Sequence, residues 1–244
     1  MRTKDRIIIA LDYSGLDDAQ AIITQLADRV GYYKVGLELL MAVGPAQLIK
    51  LIHEAGAKVF IDGKFNDIPH TIGQATGVVA ELGADLIDVH ASAGEAGVRA
   101  AVENKGTAKI IAVTILTSMP SATAKTLYGA GAGQKALQFA RLAALSGAEG
   151  VVCSPKEARI LRKDDLTRHL LVITPGIRPA WAPADDQKRF ATPGKAIQAG
   201  ADLLIIGRPI TNPPPAIGGS FRALELIRTE IDDALTTQDA VKDQ

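Results

Sequence analysis

Residues 62–71, Asp62-Gly63-Lys64-Phe65-Asn66-Asp67-Ile68-Pro69-His70-Thr71, place three charges directly after the apolar run Lys58-Val59-Phe60-Ile61. A charge removed from water is costly unless it is paired or used. Strand side chains alternate between faces, so Phe60, Asp62 and Lys64 point one way while Val59 and Ile61 point the other. A carboxylate and an amine sharing one face at the mouth of a buried strand make a poor core. They suit proton transfer and charge stabilisation, and Asp67 adds a second acid three residues on.

The same alternation applies to two earlier strands. Ile8, Ala10 and Asp12 share a face of the first, and Tyr32, Lys34 and Gly36 share a face of the second. Asp12, Lys34, Asp62 and Lys64 then meet at the C-terminal ends of three adjacent strands. Acids and amines set alternately hold each other ionised, which keeps each lysine a proton donor and each carboxylate an anion. A structural salt-bridge plug is the competing reading, although buried ion pairs give little net stability.

Near the other end, Leu203-Leu204-Ile205-Ile206-Gly207-Arg208-Pro209-Ile210 offers different chemistry. A glycine lets a phosphate approach the backbone, and an arginine gives its oxygens a planar fork. The plainer alternative is a surface arginine beside a turn. Asp88 and His90 share a face at the end of a fourth strand and read as a hydrogen-bonded layer of the interior. His53, His70 and His169 lack metal-ligand spacing, while Thr117-Ser118 follow a fifth strand and can hydrogen-bond a polar ring. Walker, GxGxxG, zinc and nucleophile-elbow patterns are absent, so neither a nucleotide cofactor nor a metal is expected.

The elements that must position these residues alternate along the chain. Strands are expected at 6–12, 32–37, 58–64, 85–91, 109–116, 150–154, 170–175 and 202–207. Helices are expected near 16–29, 45–55, 70–82, 94–103, 133–146, 155–162, 193–199 and 219–235. Eight βα pairs in sequence predict a closed parallel (β/α)8 TIM barrel, an α/β fold, ahead of an open doubly wound sheet. Gly56-Ala57, Gly83-Ala84, Gly147-Ala148 and Gly200-Ala201 each end a helix before a strand, an internal echo in which glycine supplies the left-handed cap. Two connections, 117–132 and 176–192, are long enough to be binding loops or lids on the C-terminal face. No linker divides the chain, which reads as one domain over 1–244 with a frayed tail at 236–244.

Composition narrows the partners. Lysine plus arginine (27) equal aspartate plus glutamate (27), so no overall field favours nucleic acid or an anionic membrane. The hydrophobic fraction is 47% and the aromatic fraction 4%, which predicts an ample, aliphatic core. Cys153 is the sole cysteine and sits in a strand, where an inert buried thiol is expected. The charged start, Met1-Arg2-Thr3-Lys4-Asp5-Arg6, resembles neither a signal peptide nor a membrane span, so a cytoplasmic location is expected.

Asp62-x-Lys64-x-x-Asp67-Ile68-Pro69-x-Thr71 resembles the signature of the orotidine 5′-phosphate decarboxylase family. So do Ala10-Leu11-Asp12, Lys34-Val35-Gly36-Leu37-Glu38, Leu116-Thr117-Ser118, Thr174-Pro175-Gly176-Ile177-Arg178 and Ile206-Gly207-Arg208-Pro209-Ile210, in the family's order. Asp186-Gln187-x-Arg189 falls where that family has a phosphate-binding glutamine. The resemblance implies a homodimer of TIM barrels that turns orotidine 5′-phosphate into UMP and CO₂, the last step of de novo pyrimidine synthesis, without cofactor or metal. It makes Lys64 the proton donor to C6 and sets Asp62 against the substrate carboxylate. Lys34 and Asp12 would hold the ribose and order the charges, while Asp67, Ile68 and Thr71 would reach into the partner's site. Gly63, Phe65, Asn66, Pro69 and His70 complete the substrate-binding segment. Thr117 and Ser118 would meet the pyrimidine edge, and Arg178, Gln187, Gly207 and Arg208 the phosphate, as the 176–192 lid closes.

Two alternatives share parts of this pattern. Mg²⁺-dependent sugar-phosphate lyases, such as 3-keto-gulonate-phosphate decarboxylase and hexulose-phosphate synthase, have the Asp-x-Lys-x-x-Asp core. They carry a glutamate metal ligand where this chain has Lys34, and they lack the Ile-Pro-x-Thr tail. A non-catalytic phosphate-ligand-binding barrel would be expected to have lost a charge, yet Lys34, Asp62, Lys64 and Asp67 are all present.

Overall fold

Eight parallel strands close into a barrel in chain order: β1 (Ile7–Leu11), β2 (Tyr32–Gly36), β3 (Lys58–Phe65), β4 (Leu86–His90), β5 (Lys109–Val113), β6 (Gly150–Val152), β7 (Leu171–Thr174) and β8 (Leu203–Ile206). This computed structural model describes residues 1–183 and 190–242, with side chains through residue 238. β1 pairs with β8 through Ile8 and Ile205, which completes the ring and leaves no sheet edge. The fold is therefore the (β/α)8 barrel expected from the alternation of elements.

Alternation along each strand divides the apolar residues between two layers. Ile8, Phe60, Leu86, Ile111, Ile173 and Leu203 pack together inside the barrel. Their neighbours Ile9, Val59, Ile61, Ile87, Ile110 and Val172 face the surrounding helices instead. Both layers are mainly aliphatic, and Tyr33 and Phe60 are the large aromatics among the fully buried residues. Cys153 is buried, as expected of it.

The N-terminal end of the barrel is built from the repeated glycine connection. Gly56, Gly83, Gly147 and Gly200 all adopt positive φ, between 77° and 102°. The alanine after each donates its N–H back into the preceding helix, as Ala84 does to the Val79 carbonyl at 3.1 Å and Ala201 to that of Ala196 at 3.1 Å. These bonds satisfy carbonyls that the helix end would otherwise leave open. In three of the four connections the next residue is acidic, and its carboxylate accepts the N–H of the second residue of the preceding strand. Asp85 takes Val59 N–H at 2.9 Å, Glu149 takes Ile110 N–H at 2.8 Å and Asp202 takes Val172 N–H at 2.8 Å. Each acid also meets a basic side chain, respectively His53, Lys105 and Arg162.

Several helices depart from their expected limits. The segment after β2 forms a helix at Leu37–Val43 that the sequence did not announce, followed by Pro45–Glu54. The long connection after β5 contains a helix at Ser121–Tyr128 before the expected one, which spans Ala132–Leu145. The last helix runs from Ser220 to Lys242, beyond the 219–235 expected for it.

Candidate active site

The expected charges gather at the C-terminal mouth of β1 to β4. Lys34 Nζ lies 3.1 Å from Asp12 Oδ1 and 3.0 Å from Asp62 Oδ2. Lys64 pairs with Asp62 and stands 3.0 Å from Asp88 Oδ2. The result is a chain of alternating sign, Asp12–Lys34–Asp62–Lys64–Asp88. Lys34 is 7% exposed and Asp88 0%, so the inner part of the chain is shielded from water. Charges so enclosed interact more strongly than they would at the surface.

Lys64 does not reach this position by simple pleating. The register Ile61↔Ile87 resumes only at Phe65↔Val89, so three residues of β3, Asp62 to Lys64, oppose the single β4 residue Asp88. A bulge of this kind turns the strand and re-aims its side chains. Lys64 takes φ 53°, in the left-handed region that non-glycine residues seldom occupy. Gly63 permits the turn, since a Cβ there would come 2.7 Å from Phe65 Cε1.

Asp88 is hydrogen-bonded inside the barrel, as expected of it, but its partner is Lys64 itself. Its burial pushes its carboxyl pKa up, while the Lys64 charge and hydrogen bonds pull the other way. His90 is held below the usual imidazole range, first by burial and then by the Lys64 charge. It is thus neutral near pH 7.

Residues Asn66 to Thr71 run outward from this centre and are all exposed. Asp67 Oδ1 accepts the Ile68 N–H at 2.7 Å and belongs to no ion pair among the described residues. Pro69 opens the helix Pro69–Glu81, where its missing N–H costs nothing. His70 and Thr71 lie in that first turn.

Two cavities adjoin the network. One of about 190 Å³ is lined by Lys34, Asp62, Lys64, Thr117, Pro175 and Ile205. Ser118 is exposed on the loop that carries Thr117. The other, of about 480 Å³, is lined by Arg178, Pro183, Arg208, Asn212 and Pro215. Arg178 is only 6% exposed and donates from Nη1 to the Ile177 carbonyl at 3.0 Å. The base of its loop is tied by Arg178 N–H to the Ala191 carbonyl at 2.9 Å and Ala191 N–H to that of Gly176 at 3.2 Å. Gln187, expected at the phosphate, lies outside the described residues. A Cβ on Gly207 would sit 3.7 Å from Asp12 Oδ2, so the turn that presents Arg208 begins beside the first carboxylate of the network.

Asp12, Lys34, Asp62, Lys64 and Thr117 are thus brought together, with Arg178 and Arg208 in the adjoining cavity. Asp67, Ile68 and Thr71 remain apart from them in this chain. The sequence reading did not assign Asp88 or Asn212 to the site. Asp88's contact with Lys64 depends on the bulge, and Asn212 follows the Arg208 block without a motif of its own. Among the described residues, no group of three or more His, Cys, Asp or Glu side chains is placed to hold a metal ion. Within the same residues, no helix is long and apolar enough to cross a membrane.

Comparison with known proteins gives a consistent picture. Residues 5–216 match the profile of the Orotidine 5'-phosphate decarboxylase / HUMPS family. The chain is 40% identical to the orotidine 5'-phosphate decarboxylase of Geobacter sulfurreducens over 94% of its own length and 97% of the relative's. It is 44% identical to that of Rhodopseudomonas palustris, covering 85% and 88% of the two chains. The crystal structure of orotidine 5'-phosphate decarboxylase from Lactobacillus acidophilus superposes with a TM-score of 0.78 at 32% identity, over 92% of this chain and 98% of the other.

Proposed function

The chain belongs to the orotidine 5′-phosphate decarboxylase / HUMPS family, and on that premise we propose how its residues carry out the reaction. The enzyme is a carboxy-lyase that converts orotidine 5′-phosphate into UMP and CO₂, completing de novo pyrimidine synthesis in the cytoplasm. The observation that carries the mechanism is the alternating chain of charges at the barrel mouth, with Lys64 between two carboxylates.

Loss of CO₂ breaks the bond between C6 and the carboxyl carbon and leaves the electron pair on C6. With no cofactor to accept that pair, the protein must supply positive charge where it develops. The Lys64 ammonium supplies the charge and then the proton, and solvent restores the lysine. Asp62 stands against the substrate carboxylate and, with Lys34 and Asp12, keeps the network ordered before substrate arrives. Thr117 meets the pyrimidine edge in the smaller cavity, with Ser118 beside it. Arg178, Arg208 and the Gly207 backbone take the phosphate in the larger one, with Gln187 as a further ligand. Binding energy gained at the phosphate, away from C6, then serves to close the 176–192 loop and exclude water.

The exposed run Asn66–Thr71 is best explained by a homodimer. Ile68 is 65% exposed, a large apolar side chain just before the helix that follows β3, which a second barrel would cover. Asp67, Ile68 and Thr71 would then complete the partner's site, placing a further carboxylate by its Lys64. The Mg²⁺-dependent alternative is disfavoured by Lys34, whose ammonium sits between Asp12 and Asp62 where it would repel a divalent ion. Following the pyrimidine absorbance of orotidine 5′-phosphate with the purified protein, with and without EDTA, tests the assignment. The absorbance change should proceed equally in both; no turnover, or turnover only without EDTA, would refute it.

A further inference from the structure

Asp88 is a fully buried carboxylate to which the mechanism above assigns no task. It is the single β4 residue facing the three-residue bulge of β3. Its two oxygens divide their contacts: Oδ1 accepts the Lys64 backbone N–H at 2.7 Å, and Oδ2 accepts from Lys64 Nζ at 3.0 Å.

Both contacts answer needs that the bulge creates. Where the β3–β4 register is interrupted, the Lys64 amide has no ladder carbonyl opposite it, and a buried N–H left without an acceptor is costly. Asp88 Oδ1 provides that acceptor. The left-handed conformation of Lys64 persists only if its surroundings impose it, and residues held this way concentrate at functional sites. A side chain gripped at its root and at its tip loses the freedom of a flexible four-carbon stem. An aspartate kept merely for packing would not need both oxygens on one residue.

We infer that Asp88 is a positioning residue for Lys64, clasping its amide and its ammonium so that the proton donor stands fixed beside Asp62. The inference rests on the reading of Lys64 as proton donor and adds the device that aims it. Asp88 reaches its target from below, inside the barrel, and touches no substrate. Its removal should therefore act on the chemical step and leave phosphate-driven binding in place.

Two substitutions separate the roles of the oxygens. Asp88→Asn retains a carbonyl oxygen for the Lys64 N–H, whereas Asp88→Leu has a similar shape and no acceptor. Steady-state turnover of orotidine 5′-phosphate and UMP binding by calorimetry would be measured on both. Misplacement of a reacting group by about 1 Å can cost about 100-fold in rate. Asp88→Leu should therefore lose kcat by about that factor, with UMP affinity changed less than about threefold. Asp88→Asn should recover kcat to within about tenfold of the parent. The inference is overturned if Asp88→Leu keeps its kcat, if both variants lose kcat equally, or if UMP affinity falls in step with kcat. Should Asp88→Leu fail to fold, Asp88→Val makes the same comparison. Failure of the parent enzyme to turn over would count against the proposed function; an active parent with indifferent variants would count against this inference alone.

Discussion

Lys64 is held in a backbone conformation that few lysines adopt, between two carboxylates that differ in reach and burial. Asp62 faces the cavity where substrate would lie, and Asp88 lies beneath it. Under the proposed mechanism this division would leave one amine both fixed in place and available to react. Arg208, by contrast, is exposed at the rim of the larger cavity, and in the proposed reaction it would serve affinity. Charge-assisted hydrogen bonds to phosphate contribute about 1.5–3 kcal/mol each, so Arg208→Ala should weaken UMP binding by roughly 10- to 100-fold. Titration calorimetry would show it, and an unchanged dissociation constant would remove Arg208 from the phosphate site. Two-residue alternation was enough to bring Asp12, Lys34 and Asp62 onto one face. It could not reveal Asp88's contact with Lys64, because that contact exists only where the β3–β4 register breaks.

At the scale of elements, the two ends of the barrel do different work. The N-terminal end repeats one connection, in which a positive-φ glycine closes a helix and a following acid caps a strand. Gly200 is the most constrained of these: its φ is 102°, and a Cβ would fall 2.6 Å from Arg162 Cγ. Strain of this kind costs about 1–3 kcal/mol, so Gly200→Ala should lower the denaturant midpoint by that much stability while leaving kcat unchanged. A variant as stable as the parent would show that the connection tolerates a side chain. The glycines were legible in the sequence because they recur at one place in the repeat. The helix Leu37–Val43 was not, since Leu37-Glu38-Leu39-Leu40-Met41 is too apolar to show a period of 3.6 and a glycine and proline follow it. The helix Ser121–Tyr128 was masked by Ser118, Pro120 and Ser121, which read as a loop.

For the whole molecule, the barrel mouth gathers groups from the first four strands on one side and the arginines after β7 and β8 on the other. Closing β8 onto β1 is what makes these neighbours, and the order of elements in the sequence was sufficient to predict it. What a single chain leaves unexplained is the exposed run from Asn66 to Thr71. If it serves a partner's site, two inactive proteins should restore each other. Lys64→Ala and Asp67→Asn subunits, mixed and allowed to exchange, form heterodimers in which one site holds native Lys64 and native Asp67. Random pairing places such sites at about one quarter of the total, so activity should rise to about a quarter of the parent's. Mixtures no more active than their components would argue against a shared site.

In the proposed mechanism Lys64 donates the proton while binding is carried elsewhere. Single-turnover decarboxylation of orotidine 5′-phosphate by Lys64→Ala, measured beside its UMP affinity, tests it most directly. Product formation should fall by at least about 1,000-fold, with UMP still bound. Product formed at the parent's rate by the lysine-free enzyme would contradict it.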